Sequence, residues 1–205
     1  MTDADREPDG RAPEHAGFGG AMRIDWLGAD ELTPRLPGRL GLTFLPGKRG
    51  ASSRYPGHVY RRDAAEDMLA LRRQGVRHLV LLVEDAEISR WSDPQIVRRG
   101  TEAGLTVDRF PIPDGAAPTV EEMDRILAAV ESGRRDGDVA VACMRGVGRT
   151  GTVAACALVQ AGLSADEAIA RVRQVRHPTA VETAEQEALV ASYSARWPKP
   201  GTPPS

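Results

Sequence analysis

The stretch Asp138–Gly151, DVAVACMRGVGRTG, constrains this chain more than any other. It opens as a short apolar run, Val139-Ala140-Val141-Ala142, which predicts a buried strand. It turns through Cys143, Met144, Arg145, Gly146, Val147 and Gly148, then leaves as a helix from about Arg149-Thr150 to a stop at Gly162. A strand, a short glycine-bearing loop and a helix N-terminus together make an anion cradle. The loop amides turn inward, the helix dipole adds positive potential, and the glycines let the backbone approach closely. Met144, Arg145, Gly146, Val147 and Gly148 are therefore candidate substrate-binding positions.

Cys143 and Arg149 bracket five residues, so the loop can wrap a tetrahedral oxyanion with the sulfur beneath it. A helix N-terminus and a neighbouring guanidinium both favour the thiolate, and a thiolate is a nucleophile toward phosphorus. The guanidinium of Arg149 can grip two phosphate oxygens at once, a fork that lysine cannot copy. The Thr150 hydroxyl can donate to the sulfur and ease its departure. A bare Cys-x5-Arg is a weak signal in a chain this rich in arginine. Gly146, Gly148, Thr150 and Gly151, with a strand before and a helix after, make it specific. The bland alternative is a buried cysteine at a strand end and an arginine on a surface turn.

At these residues CMRGVGRTG resembles the active-site loop of cysteine-dependent protein tyrosine and dual-specificity phosphatases. With PIPDG upstream and AVETAEQ downstream, the chain most resembles the kinase-associated (cyclin-dependent-kinase-inhibitor-3-like) dual-specificity group, over about Gly38 to Trp197. The resemblance implies Cys143 as nucleophile, Arg149 as phosphate clamp and Asp114 as general acid. Where the family carries a histidine that helps set the loop and the thiol, this chain has Ala142.

Asp114 also stands on its own setting. It follows a predicted strand end, as Cys143 does, so both can face one cleft; the flanking prolines stiffen the approach and Gly115 permits a tight turn. The bland alternative is an aspartate holding a Pro-Asp-Gly turn. Asp93, in Trp91-Ser92-Asp93, resembles the Trp-Pro-Asp acid loop of tyrosine phosphatases but reads better as a helix N-cap before Pro94. Gln186 resembles the glutamine that positions the hydrolytic water, and equally completes a capping box with Thr183. By the same resemblance Glu87 reaches the back of the loop. Arg145 either tunes the pocket toward multiply phosphorylated substrates or points to solvent. His177 is expected in a loop or on the surface.

The remaining chain alternates strand and helix signals. Strands are expected at about Arg23–Leu27, Gly38–Leu45, Val76–Val83, Leu105–Phe110 and Asp138–Ala142. Helices are expected from Asp63 to Gln74 with an apolar face of Met68, Leu69 and Leu71, from Asp93 to Ala103, and from Thr119 through Val130. Two more follow from Ser164 and Thr183, the second running through Ala195, and residues 84–92 form a loop or short helix. KRGASSRYPGHVYRRD, with Lys48, Arg49, Arg54, Arg61 and Arg62, reads as a solvated connection. Its alternative is a rim that attracts an anionic substrate, with Tyr55 available for stacking.

This pattern predicts an α/β fold, a mainly parallel sheet of four or five strands with helices on both faces. Right-handed crossovers would bring Cys143 and the end of the strand before Asp114 to the ligand-binding edge. The expected domain spans 21–197, between disordered tails at 1–20 and 198–205 rich in Pro, Gly and charge.

Bulk properties narrow the function further. A net charge of −2 predicts no nucleic-acid partner. Only Cys143 and Cys156 are present, which is no disulfide scaffold, and Cys156 suits a small core hydrophobe. No membrane span or signal peptide is visible, and a cytoplasmic location fits the need for a free thiolate. No metal or cofactor is called for, and oligomeric state is not readable. The residues thus point to a metal-independent phosphomonoesterase acting on a phosphorylated protein or a small phosphomonoester, inositol phosphates and phosphoinositides included. The alternatives are a phosphate-reading pseudophosphatase, suggested by Ala142, and a sulfurtransferase or arsenate reductase, disfavoured by the glycine pattern and by Asp114.

Overall fold

The computed structural model describes residues 20–52 and 56–197. The tails expected at 1–20 and 198–205 lie outside these residues apart from Gly20, and so do Arg54 and Tyr55.

Among the described residues seven strands form: β1 (Asp25–Leu27), β2 (Leu40–Phe44), β3 (Arg49–Ala51), β4 (Val59–Arg61), β5 (Val76–Leu81), β6 (Thr106–Arg109) and β7 (Asp138–Cys143). Five of them build one sheet in the order β1-β2-β7-β5-β6. β1 pairs antiparallel to β2 and every other pairing is parallel. β7, the strand that carries Cys143, is the middle strand, with Phe44 of β2 opposite Cys143 in register. Its apolar run is sealed on both faces, as a central parallel strand requires.

The helices are α1 (Ala64–Arg73), α2 (Asp85–Trp91), α3 (Ile96–Glu102), α4 (Val120–Asp136), α5 (Gly148–Gln160), α6 (Ala165–Val175) and α7 (Ala184–Arg196). The chain steps from β2 to β5 to β6 in one direction across the sheet and returns from β6 to β7. Right-handed crossovers therefore put α1 and α3 on one face and α4 on the other. The contacts agree: α1 packs on α3, while α5 packs on α4, α6 and α7. Two glycines set the closeness of approach. A Cβ at Gly100 would meet Val107 at 2.4 Å, and one at Gly133 would meet the His78 ring at the same distance.

Several local expectations are corrected. The connection read as solvated folds in part into the β3–β4 hairpin, with Tyr60 and Lys48 buried. α4 continues past Val130 to Asp136, because Gly133 and Arg134 are also buried. Leu69 faces solvent, and Ala64, Met68 and Leu71 form the inner face of α1. Residues 85–91 are helical. Gln95, not Asp93, precedes α3; the Asp93 carboxylate accepts from the Gln95 amide at 2.8 Å and from Arg99 at 3.0 Å. His78 is packed in β5, its Nε2 2.9 Å from Asp108. Among the described residues no helix is long and apolar enough to cross a membrane.

Candidate active site

The site lies where β7 ends. Phe44 of β2 stands beside Cys143 in register. Gly146 makes the close approach possible: its φ is +68°, and a Cβ there would lie 2.3 Å from the Thr43 carbonyl oxygen. In that conformation the Gly146 amide donates to Cys143 Sγ at 3.2 Å. α5 begins at Gly148, so its first turn and dipole face the sulfur.

The loop is held from behind by Arg176, whose side chain is fully buried. It donates to the Gly146 carbonyl at 2.9 Å, to the Arg145 carbonyl at 2.9 Å and to Asp25 at 2.6 Å. Pulling these two carbonyls backward leaves the loop amides free to face inward. The sequence offered no signal for this arginine, which lies far along the chain in an arginine-rich helix end.

Arg149 is 2% exposed and makes four short contacts. Glu87 takes both ends of the fork at 2.7 Å, the Ile112 carbonyl accepts at 2.8 Å, and Asp114 accepts at 2.8 Å. Burial alone would lower the guanidinium's pKa. The Glu87 hydrogen bonds and the charges of Cys143, Glu87 and Asp114 reverse that and raise it. Glu87 thus does reach the loop, from the second turn-forming segment of the chain, α2.

Asp114, Cys143, Met144, Arg145, Arg149 and Gln186 line one pocket of about 280 Å³, together with Gly115, Glu182 and Thr183. Gly146, Val147, Gly148 and Thr150 are buried behind its wall. Thr150 Oγ1 is buried with no hydrogen-bond partner among the described residues. Arg145 neither points freely to solvent nor stands alone: its Nη1 lies 2.6 Å from Glu182. Asp93 is absent from the pocket, and Cys156 is buried in α5, where desolvation raises its thiol far above the ordinary range.

Gln186 is 1% exposed and both ends of its amide are engaged. Oε1 accepts from the Glu182 amide at 2.8 Å and Nε2 donates to the Ala116 carbonyl at 3.2 Å. Thr183 accepts from the Gln186 amide and donates to the Gly115 carbonyl at 3.0 Å, so the expected capping box is only half formed. These bonds, with Glu185 accepting from the Ala117 amide, tie the start of α7 to the loop that carries Asp114. Glu182, which sequence reasoning missed, also lies against the cradle: a Cβ at Gly148 would lie 2.6 Å from its Oε2. Among the described residues no cluster of three or more His, Cys, Asp or Glu side chains is arranged to hold a metal ion.

This geometry can be set beside known proteins. The Tc-R-P sequence model, "Polymorphic toxin system, DSP-PTPase phosphatase", matches residues 56–163, just over half of the chain. Cyclin-dependent kinase inhibitor 3 of Rattus norvegicus is 28% identical over 153 residues, covering 72% of this chain and 68% of the relative. Kinase associated phosphatase, solved with its catalytic-site cysteine changed to serine, superposes with a TM-score of 0.74 at 22% identity, covering 87% of this chain and 97% of the other. Tk-PTP in its active form superposes with a TM-score of 0.63 at 32% identity, covering 80% of this chain and 99% of the other.

Proposed function

Since this chain belongs to the polymorphic toxin system DSP-PTPase phosphatase family, we propose a division of labour in which Cys143 attacks phosphorus, Arg149 and the loop amides hold the oxygens, and Asp114 moves the proton. The chain is a cysteine-based phosphatase of the protein tyrosine and dual-specificity superfamily. The observation that carries the assignment is the sulfur of Cys143 beneath an inward-facing loop amide, with Arg149 on the first turn of α5.

The Cys143 thiolate attacks the phosphate ester in line with the leaving oxygen. The S–P bond forms, the P–O bond breaks, and Asp114 gives its proton to the departing oxygen. Charge on the equatorial oxygens meets the Arg149 fork and the amides of 144–148. In the second step Asp114 takes a proton from water as the oxygen attacks phosphorus, and the S–P bond breaks to release phosphate and thiolate. The unpartnered hydroxyl of Thr150 is available to donate to the sulfur as it leaves. Every group these steps require is a side chain or amide of the chain itself, so no metal is called for.

The substrate class is a phosphorylated protein or a small phosphomonoester. Gln186 acts by holding the acid loop to α7, since both ends of its amide are engaged there. A reducing cytoplasm is the compartment that keeps Cys143 free, and the domain is taken to span 21–197. The test is hydrolysis of an aryl phosphate with chelator present, for the wild type beside Cys143→Ser. Loss of turnover in the serine variant and block by vanadate are expected; a serine variant of near-wild-type rate would overturn the mechanism. The second reading, a phosphate-binding module without turnover, rests on Ala142 in place of histidine and predicts phosphate binding with no hydrolysis by folded wild type.

A further inference from the structure

Among the described residues Val181, between α6 and α7, is alone of the non-glycine residues in having a positive φ, +61°. A β-branched side chain adopts this left-handed conformation only where its surroundings impose it. Here they do. Val181 is buried, and its amide donates to the Val147 carbonyl at 3.3 Å. Arg173 donates to the Ala180 carbonyl at 3.0 Å and to the Val181 carbonyl at 3.4 Å. A Cβ at Gly151 would lie 3.0 Å from the Val181 nitrogen, so the segment is pressed onto α5. The next residue is Glu182, whose amide donates to Gln186 Oε1 at 2.8 Å. With its main chain fixed on both sides, Glu182 is delivered into the pocket that holds Cys143 and Arg149. Its Oε1 lies 2.6 Å from Nη1 of Arg145. Arg145 is anchored as well, since its carbonyl accepts from buried Arg176 at 2.9 Å.

Two guanidiniums thus line the pocket, and their carboxylate partners there are held differently. Asp114, on Arg149, is 78% exposed. Glu182, on Arg145, is 30% exposed and set in place by the strained residue before it. We propose that Glu182 is a specificity-determining residue of the phosphatase: by holding Arg145 it leaves one open guanidinium, so the site takes a single phosphoryl group and refuses a second one beside it. An unpaired Arg145 would grip a neighbouring phosphate through a charge-assisted hydrogen bond. Paired, it meets that phosphate with a carboxylate alongside, and discrimination comes from this repulsive element. The favoured substrates are singly phosphorylated esters, and vicinal bisphosphates are the class turned away. The inference rests on the cysteine-phosphatase reading, but its readout is binding and not turnover.

The experiment is isothermal titration of a vicinal inositol bisphosphate and of an inositol monophosphate at one fixed ionic strength. The protein is the full chain with Cys143→Ser, which prevents turnover during the titration. It is compared with the same protein carrying Glu182→Gln, and with one carrying Glu182→Gln and Arg145→Gln together. Glu182→Gln is expected to raise the ratio of bisphosphate to monophosphate affinity by about tenfold, the scale of one charge-assisted hydrogen bond. Adding Arg145→Gln is expected to remove that gain. An unchanged ratio in Glu182→Gln overturns the proposal, and so does a gain that survives the loss of Arg145. If Glu182→Gln changes the circular dichroism of the parent, Glu182→Ala replaces it under the same two criteria. A wild type that binds both ligands yet hydrolyses no phosphomonoester defeats the catalytic reading and leaves the affinity ratios legible.

Discussion

The Asp114 carboxylate rests 2.8 Å from Nη2 of Arg149, so the proposed proton donor sits on the guanidinium proposed to grip phosphate. The two side chains are unequally held: Asp114 is 78% exposed, and Arg149 is 2% exposed and pinned by Glu87. An arriving oxyanion is therefore expected to displace the aspartate, not the arginine. Asp114→Asn is expected to bind vanadate or phosphate several-fold more tightly while its kcat falls by about 10²–10⁴. Isothermal titration beside steady-state kinetics checks both halves; weaker oxyanion binding in the variant would refute the displacement.

Glu87 holds the other side of Arg149, itself only 14% exposed. Removing one partner of a buried pair leaves a charge uncompensated and costs about 3–5 kcal/mol. Asp114 and the Ile112 carbonyl remain, so Glu87→Ala should sit at the lower end, about 3 kcal/mol by urea denaturation. A loss below about 1 kcal/mol would place the pair with surface ion pairs.

Arg176 spreads three donors over Gly146, Arg145 and Asp25. Lysine keeps the charge but not the fork. Arg176→Lys is expected to fold and to lose about a hundredfold in kcat/KM, because the loop carbonyls are no longer held back. Circular dichroism and turnover of an aryl phosphate decide it; a variant within twofold of wild type would mean the loop holds itself.

Lys48 makes a separate prediction about stability. Burial first, and Arg145 second, push its folded pKa down to about 8, below the ordinary lysine value of 10.5. Between those two values the unfolded chain binds a proton that the folded chain has released, so stability rises with pH across that window. Lys48→Met should remove that rise and stabilise the protein at neutral pH by up to about 3 kcal/mol. Thermal unfolding at about pH 7 and pH 10 measures it, and a destabilised Met variant with the same pH slope as wild type would contradict it.

The residues readable in the sequence were those whose setting is local. Cys143, Arg149 and Gly146 belong to one contiguous strand-loop-helix, so order along the chain already fixes their neighbourhood. Asp114 was readable because a strand end delivers it, and the pocket does bring it beside Cys143 and Arg149. Arg176 and Glu182 arrive from across the fold, and nothing in their own segments distinguishes them from solvated charges. Lys48 was hidden for a further reason. Its arginine-rich context reads as solvent-facing, and only the pairing of Gly50 with Tyr60 builds the floor that buries it. Gln186 was recognised as important, but the role depends on where its two amide ends go, which requires Glu182 and Ala116 in place. Asp93 shows the reverse case: Pro94 signals a helix start, yet the carboxylate is spent on the Gln95 amide and Arg99 one turn early.

The cysteine-bearing strand has a neighbour bonded on each side, β2 and β5, and neither is an edge. No fraying of the sheet margin reaches it, so amide deuterium uptake in Ala140–Ala142 should report only the opening of the whole domain. The nucleophile is consequently lost in a single cooperative event with the rest of the molecule. Peripheral loosening can alter how substrates reach the pocket, but it leaves the sulfur and its seat intact until everything gives way.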